Sequence, residues 1–274
     1  MKIYDMHMHS RSGDPNAEAL LEKLEAAGVY GGALISGVPL EYGGGALKLP
    51  YPDRLHTVLQ WTNGSHGRLF PFLWVHPFEK NACDIVKDAA QSGIRAFKMT
   101  CDSYPIHAPE SMKLLEAINR TGLPMLFHTG ILWDLQASSQ FNRPAEWDCM
   151  LKFQNIRFAM GHCSWPWHDE CIALYGKMAS ARRRIQTCEM FFDLTPGTPK
   201  IYRRDLLAKL YTVGYSVEKN VLWGTDFNTA DYPADKVRSW LEIDRTILDE
   251  LGVSEEQRRM IYETNPLRFL GEEG

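Results

Sequence analysis

Eight short apolar runs, each followed by a stretch of helical periodicity, divide this 274-residue chain from end to end. The runs are Lys2–Met8, Gly32–Ser36, Leu69–Val75, Ile94–Met99, Met125–His128, Ile156–Met160, Ile185–Asp193 and Val221–Gly224. Helical patterns run from Pro15, with Asp14 as its cap, to Gly28, then from Pro52 to Asn63-Gly64, Ala82 to Ser92 and Pro109 to Thr121. Further ones cover Ala145–Phe153, His168–Arg182, Arg203–Val213 and Asp231–Leu251. Near-continuous apolar strands alternating with helices call for a parallel sheet covered by those helices. Eight such units close into an α/β fold of the (β/α)8 TIM-barrel type. An open doubly wound sheet is disfavoured, because no G-x-G-x-x-G turn follows the first strand. Ser254–Tyr262 and Pro266–Leu270 read as short extra C-terminal helices packing outside. Barrels of about 250 residues are single domains, and with no linker or repeat the whole chain, 1–274, reads as one domain.

Active sites of such barrels form at the C-terminal strand ends, and there the chain places ionisable residues repeatedly. They are His7 and His9 on strand 1, His76 on 3, Lys98 on 4, His128 on 5, His162 on 6, Glu189 on 7 and Asp226 on 8. Strict alternation would put Ile3, Asp5, His7 and His9 on one face of strand 1, and Tyr4, Met6 and Met8 on the other. His7, His9, His128 and Asp226 together form a nitrogen-rich set with one carboxylate, suited to a divalent metal. One zinc ion is the expectation, with manganese or a second metal as alternatives. Metal-activated water, with Asp226 as general base, is the chemistry such a set supports. His162 would orient that water or polarise a substrate oxygen. Lys98 and Glu189 are candidates for supporting that centre or, for a carbamylated Lys98, for bridging a second metal held by His128 and His162. The unmodified lysine is favoured, because a buried lysine tends to pair or deprotonate.

His76, Trp133, Arg143 and Trp165 are candidate substrate-binding residues. Trp133, Phe141 and Arg143 stand in the loop after strand 5, and Trp165 and Trp167 after strand 6. Aromatic walls with one arginine would suit an aromatic or cyclic substrate bearing a carboxylate. Tyr42 beside Gly43-Gly44-Gly45 marks the loop after strand 2 as a lid.

A net charge of −4 offers nothing to a phosphate backbone. No stretch approaches the roughly 20 apolar residues of a membrane span. Six cysteines without paired spacing read as free thiols in a reducing compartment. The expectation is a cytoplasmic protein whose partner is a small-molecule substrate, with no nucleic acid and no membrane; a homodimer is compatible with it.

The motifs in series resemble the amidohydrolase superfamily, specifically the amidohydrolase-related branch with aminocarboxymuconate-semialdehyde decarboxylase-like enzymes. They are Asp5-x-His7-x-His9, Phe97-Lys98, Leu123-Pro124-Met125-Leu126-Phe127-His128-Thr129-Gly130, Met160-Gly161-His162, Val221-Leu222-Trp223-Gly224-Thr225-Asp226 and Asn265-Pro266-x-x-Phe269-Leu270. The resemblance implies metal positions at His7, His9, His128 and Asp226 and a catalytic histidine at His162. It implies a metal-dependent hydrolase of a small amide, lactone or ester. A non-oxidative decarboxylase of an aromatic or unsaturated carboxylic acid is the alternative, and an inactive metal-binding barrel a further one. Cys163-Ser164-Trp165-Pro166-Trp167 departs from the glycine-rich turn of relatives, so their substrates do not carry over.

Overall fold

The computed structural model describes residues 1–10, 15–45, 47–196 and 199–272. Its strands are β1 (Tyr4–His9), β2 (Gly31–Ile35), β3 (Leu69–Trp74), β4 (Ala96–Met99), β5 (Met125–Phe127), β6 (Arg157–Met160), β7 (Glu189–Asp193) and β8 (Val221–Leu222). They form one parallel sheet in chain order. The chain after β8 closes the ring onto β1. Met6 N donates to Trp223 O at 2.9 Å, Asp226 N to His7 O at 2.8 Å and His9 N to Phe227 O at 2.9 Å. The architecture is therefore the α/β barrel expected.

Alternation along each strand sorts the apolar side chains into two layers. Tyr4, Met6, Ala33, Ile35, Phe70, Phe72, Ala96, Leu126, Ala159 and Phe191 fill the barrel. Leu34, Leu73, Phe97, Met99, Met125, Phe127, Phe158 and Met160 face outward under the helices, against residues such as Leu20, Val86 and Leu114.

The outer ring holds α1 (Ala17–Ala26), α2 (Tyr51–Thr62), α3 (Ala82–Gln91), α4 (Pro109–Thr121), α5 (His168–Arg184), α6 (Arg203–Thr212) and α7 (Ala234–Glu250). Three differences from expectation have physical causes. Helix α1 starts at Ala17 because Asn16 caps it, accepting from Ala19 N at 2.9 Å; Asp14 lies outside the described residues. The segment Pro144–Lys152 is a 3-10 helix, because Pro144, Trp147, Met150 and Phe153 are buried at a spacing of three, the period of that tighter coil. The C-terminal pieces do not all pack outside. A Ser254–Gln257 capping box opens α8 (Glu255–Arg259), and a π turn at Met260–Thr264 leads into α9 (Asn265–Leu270). Phe269 and Leu270 join the inner layer, with the Phe269 ring edge-on to Phe191 at 5.2 Å, so α9 plugs the barrel floor.

Arg203 on α6 and Asp244 on α7, both 1% exposed, form a bidentate pair at 2.7 Å. Arg203 also donates to Leu194 O, and Trp223 Nε1 donates to Asp244 at 3.1 Å, so the pair holds both segments that follow β7 and β8. No helix among the described residues is long and apolar enough to cross a membrane.

Removing one partner of a buried, hydrogen-bonded ion pair strands the other charge, at about 3–5 kcal/mol. Asp244→Ala is expected to lower the unfolding free energy by that much, read as a lower urea midpoint at unchanged slope, whereas the double substitution Arg203→Met/Asp244→Leu costs less. A single-mutant loss below about 1 kcal/mol would show that water reaches Arg203.

Candidate active site

Strand β1 departs from simple alternation. Its register with β2 shifts between Asp5 and Met8, the mark of a β-bulge. Met6 lies in the barrel with Tyr4, while Met8 lies in the outer layer, so the two methionines do not share a face. Asp5 does not point with the histidines. Its Oδ1 accepts from His7 N at 3.1 Å and Thr225 N at 3.0 Å, and its Oδ2 from Thr225 Oγ1 at 2.5 Å and Tyr232 OH at 2.8 Å. The bulge leaves His7 and His9 both at the barrel mouth, 5.3 Å apart between ring centres.

Asp226 meets them from the other side of the seam. Its Oδ1 is 2.8 Å from His9 Nε2 and 3.6 Å from His7 Nε2, and one ligand atom from each residue lies within 4.8 Å of the other two. Donor atoms around a tetrahedral zinc stand roughly 3.3 Å apart, so two imidazole nitrogens and a carboxylate oxygen at these spacings fit a divalent cation. Desolvation alone would raise the Asp226 carboxyl. The His9 hydrogen bond and the imidazoles of His7, His9 and His162 instead hold it well below the usual carboxylate range.

His7 Nδ1 is 2.7 Å from Asp193 Oδ2. A carboxylate only accepts, so Nδ1 carries the proton and Nε2 presents its lone pair to the cavity. Asp193 is the last residue of β7 and is itself held by Thr195 through its N and Oγ1. Sequence reasoning missed Asp193. The rule that selects His128 at the end of an apolar run selects Asp193 after Met190-Phe191-Phe192.

Glu189 is the corresponding correction. It is the first residue of β7, not its rim, because the strand is shorter at its start than the run beginning at Ile185 implies. It lies at the barrel floor, bonded to Arg268 Nη1 at 2.6 Å and Asn220 Nδ2 at 2.9 Å, with Arg182 at 3.4 Å.

His162 and His128 complete the mouth, with ring centres 5.0 Å apart. His162 Nδ1 faces Thr195 O at 3.3 Å, which makes that nitrogen the donor and leaves the lone pair on Nε2. Burial lowers the pKa of both, with the neighbouring His7 and Lys98 adding to the effect, so both are neutral imidazoles at pH 7. His128 lies beside the group of three rather than within it, its Nε2 directed at Ile131 O at 3.3 Å. Lys98 Nζ lies 3.3 Å from His7 Nε2. Cys163 offers no nucleophile: burial pushes its thiol well up, and Sγ is spent on Asp193 O at 3.4 Å.

These residues line a cavity of about 410 Å³ walled by Tyr42, Trp74, Ile131, Leu132, Trp133 and Trp165. Trp133 is an exposed rim and Trp165 a half-buried wall. Arg143 is not in it; it pairs with Glu170 at 2.8 Å and stacks over Trp167, because the turn after β6 draws it outward. His76 is also outside the lining. It is buried against Tyr104, and its Nε2 holds Asp102 Oδ1 at 3.3 Å. Asp102 in turn accepts from Gly43 N, and Gln136 donates to Gly43 O, so the loop after β2 is pinned over the mouth from two sides. His76 thus holds that loop indirectly, through Asp102.

A family model described as Amidohydrolase matches residues 4–271. No curated protein sequence matches the chain. Among solved structures, 2,6-dihydroxybenzoate decarboxylase from Rhizobium is similar at TM-score 0.64 and 10% identity, covering 100% of each chain. A probable 2-pyrone-4,6-dicarboxylic acid hydrolase from Acinetobacter baumannii aligns at TM-score 0.60 and 12% identity over 99% of this chain and 100% of that one. Dihydroorotase from Campylobacter jejuni aligns at TM-score 0.61 and 13% identity, over 100% and 84%.

The two ends of β7 make opposite predictions. Asp193→Ala frees the His7 ring and is expected to weaken metal binding about 10–100-fold, read by competition with a chromogenic chelator. Glu189→Gln leaves that affinity unchanged but lowers stability by about 1–3 kcal/mol. Burial would raise the Glu189 carboxyl, yet Arg268 and Asn220 hold it below its ordinary 4.5. Its contribution is therefore complete above pH 4.5 and fades as pH falls through the lower folded value. A Glu189→Gln deficit that persists undiminished in acid would contradict this.

Proposed function

The chain belongs to the amidohydrolase family, and from that premise we propose that it is a metal-dependent hydrolase of a small amide, lactone or ester. The observation that carries the reading is the meeting of His7 Nε2, His9 Nε2 and Asp226 Oδ1 at the mouth, with His7 fixed by Asp193. His7, His9 and Asp226 would hold the metal, with His128 beside them as the fourth donor. Zinc is the ion this nitrogen-rich set suits best. Bound there, a divalent cation would polarise the scissile carbonyl and make nearby water more acidic.

The chain supplies the proton handling. Asp226 makes both its short approaches through Oδ1, which leaves Oδ2 to take the proton of the attacking water. The low pKa of the carboxyl keeps it ionised at pH 7. His162, neutral and with Nε2 unprotonated, orients the water or the substrate oxygen. The aromatic walls exclude bulk water around the reacting carbon.

Hydrolysis is preferred to decarboxylation because no arginine stands among the described residues of the cavity, and Lys98 is its one described lysine. A carboxylic acid finds little there to clamp it.

Metal content and turnover of single variants test the reading. His7→Ala or Asp226→Ala is expected to abolish activity and lower bound metal. His162→Ala is expected to keep the metal and lose about 10²–10⁴-fold in kcat. Metal loss in His162→Ala equal to that in His7→Ala would indicate two metals. Release of CO2 from an aromatic acid without uptake of water would replace the hydrolase with a carboxy-lyase.

A further inference from the structure

Two of the most exposed apolar side chains of the molecule stand one residue apart at the cavity mouth, in the loop after β5. Trp133 is 79% exposed and Leu135 103%, and both border the cavity that holds His7, His9 and Asp226. Leu135 also has a φ of 63°, a left-handed conformation that a bulky side chain rarely adopts. The loop enforces it. Asp134 Oδ1 accepts from Gln136 N at 3.1 Å and from Ser138 Oγ at 2.7 Å, and Gln136 Nε2 donates to Gly43 O of the loop after β2. Upstream, Ile131 N donates to Trp165 O at 2.9 Å and Leu132 N to Ser139 Oγ at 3.1 Å. A strained leucine held in solvent by bonds on both sides is a built feature, and strain of this kind points to function.

Across the Gln136–Gly43 bond, the loop after β2 offers glycines. Gly44 and Gly45 line the cavity, and a Cβ on Gly45 would meet nothing within 4 Å. The mouth is thus open beside bare backbone on that loop and apolar on the loop that carries Trp133 and Leu135. His7, His9, Lys98, His128, His162 and Asp226 all belong to strand ends, below this outer edge.

Resting on the hydrolase reading, we propose that Trp133 and Leu135 form a specificity-determining subsite for an apolar extension of the substrate. The substrate class is accordingly an amide, lactone or ester whose hydrolysable group lies at the strand ends and whose alkyl or aryl chain reaches the rim. Such a chain takes apolar surface of both partners out of water. A second copy of this chain is a poorer occupant, because two side chains fall far short of the roughly 800 Å² that each partner brings to a standard interface.

Straight-chain hydroxamic acids test this, since the hydroxamate chelates a divalent cation and the chain projects from it. Aceto-, butyro-, hexano- and octanohydroxamate are titrated into the metal-loaded protein by calorimetry, with sedimentation recording the oligomeric state. Affinity is expected to rise along the series, by about tenfold or more from aceto- to octanohydroxamate. The double substitution Trp133→Ala/Leu135→Gly should reduce that ratio to below about threefold. Leu135→Gly alone removes the strain with the side chain, so it should keep or raise the urea midpoint while lowering the ratio. Equal affinities along the series, failure of all four to bind, or a ratio that survives the double substitution would each overturn the assignment. So would a dimer that dissociates in the double variant, which would give the rim to a second copy. If the series orders as stated and collapses in the variant but no amide, lactone or ester turns over, long-chain ones included, the hydrolase reading fails while the apolar subsite stands.

Discussion

A single buried carboxylate, Asp5, ties the first strand to the chain that follows the last, and the site depends on that tie. It is fully buried and accepts four hydrogen bonds, from His7 N, Thr225 N, Thr225 Oγ1 and Tyr232 OH. Burial pushes its pKa up to about 7 even against those donors. Space for this arrangement comes from Gly32 opposite, where a Cβ would stand 1.9 Å from Asp5 O. Because Asp5 turns toward β8, the bulge places His7 and His9 at the mouth and sets Thr225, hence Asp226, against them. The spacing of the donor set is therefore imposed by the protein itself.

The barrel keeps its two ends chemically apart. At the floor, Glu189, Arg268 and Asn220 form a structural ion network under the plug of α9. At the mouth, Asp193 orients His7. The two acids stand four residues apart on one strand, roughly 13 Å at about 3.3 Å per residue. Both are held below their ordinary pKa, yet one acts on stability and the other on the site. Position along the strand, not residue type, decides which.

This explains what could be read from the residues. The eight-fold strand–helix period and the polar tips of His7, His9, His128, His162 and Asp226 were legible, because apolar runs announce strands and a polar residue ending one announces the rim. Glu189 misled because the start of a run is less sharply marked than its end: the β-branched Ile185 and Thr187 before Cys188 extend a strand-like pattern although only Glu189–Asp193 pairs as a strand. The bulge in β1 was invisible because it depends on a long-range partner, Thr225. Arg143 and His76 lie on loops, where the chain path and not periodicity sets direction. Arg143 follows Glu170, and His76 follows Asp102.

Backbone strain concentrates where the chemistry is proposed. His162, Cys163, Ser164 and Asp226 have φ of 56°, 44°, 59° and 64°, a left-handed conformation that favours glycine. Each costs on the order of 1 kcal/mol or more and persists only where surroundings over-determine it. Here they do. Thr129 Oγ1 donates to Gly161 O and accepts from Ser164 Oγ, Cys163 Sγ reaches Asp193 O, and Asp226 N is bound to His7 O. Gly130 permits the approach, since a Cβ there would lie 2.3 Å from Trp165 O. A glycine-rich turn would relieve the strain and leave His162 free to swing. The bulky turn instead locks the imidazole in place, with Nδ1 on Thr195, and sets Trp165 as a fixed wall. What the strained turn secures is a rigid His162 imidazole, whose lone pair is held toward one point of the cavity.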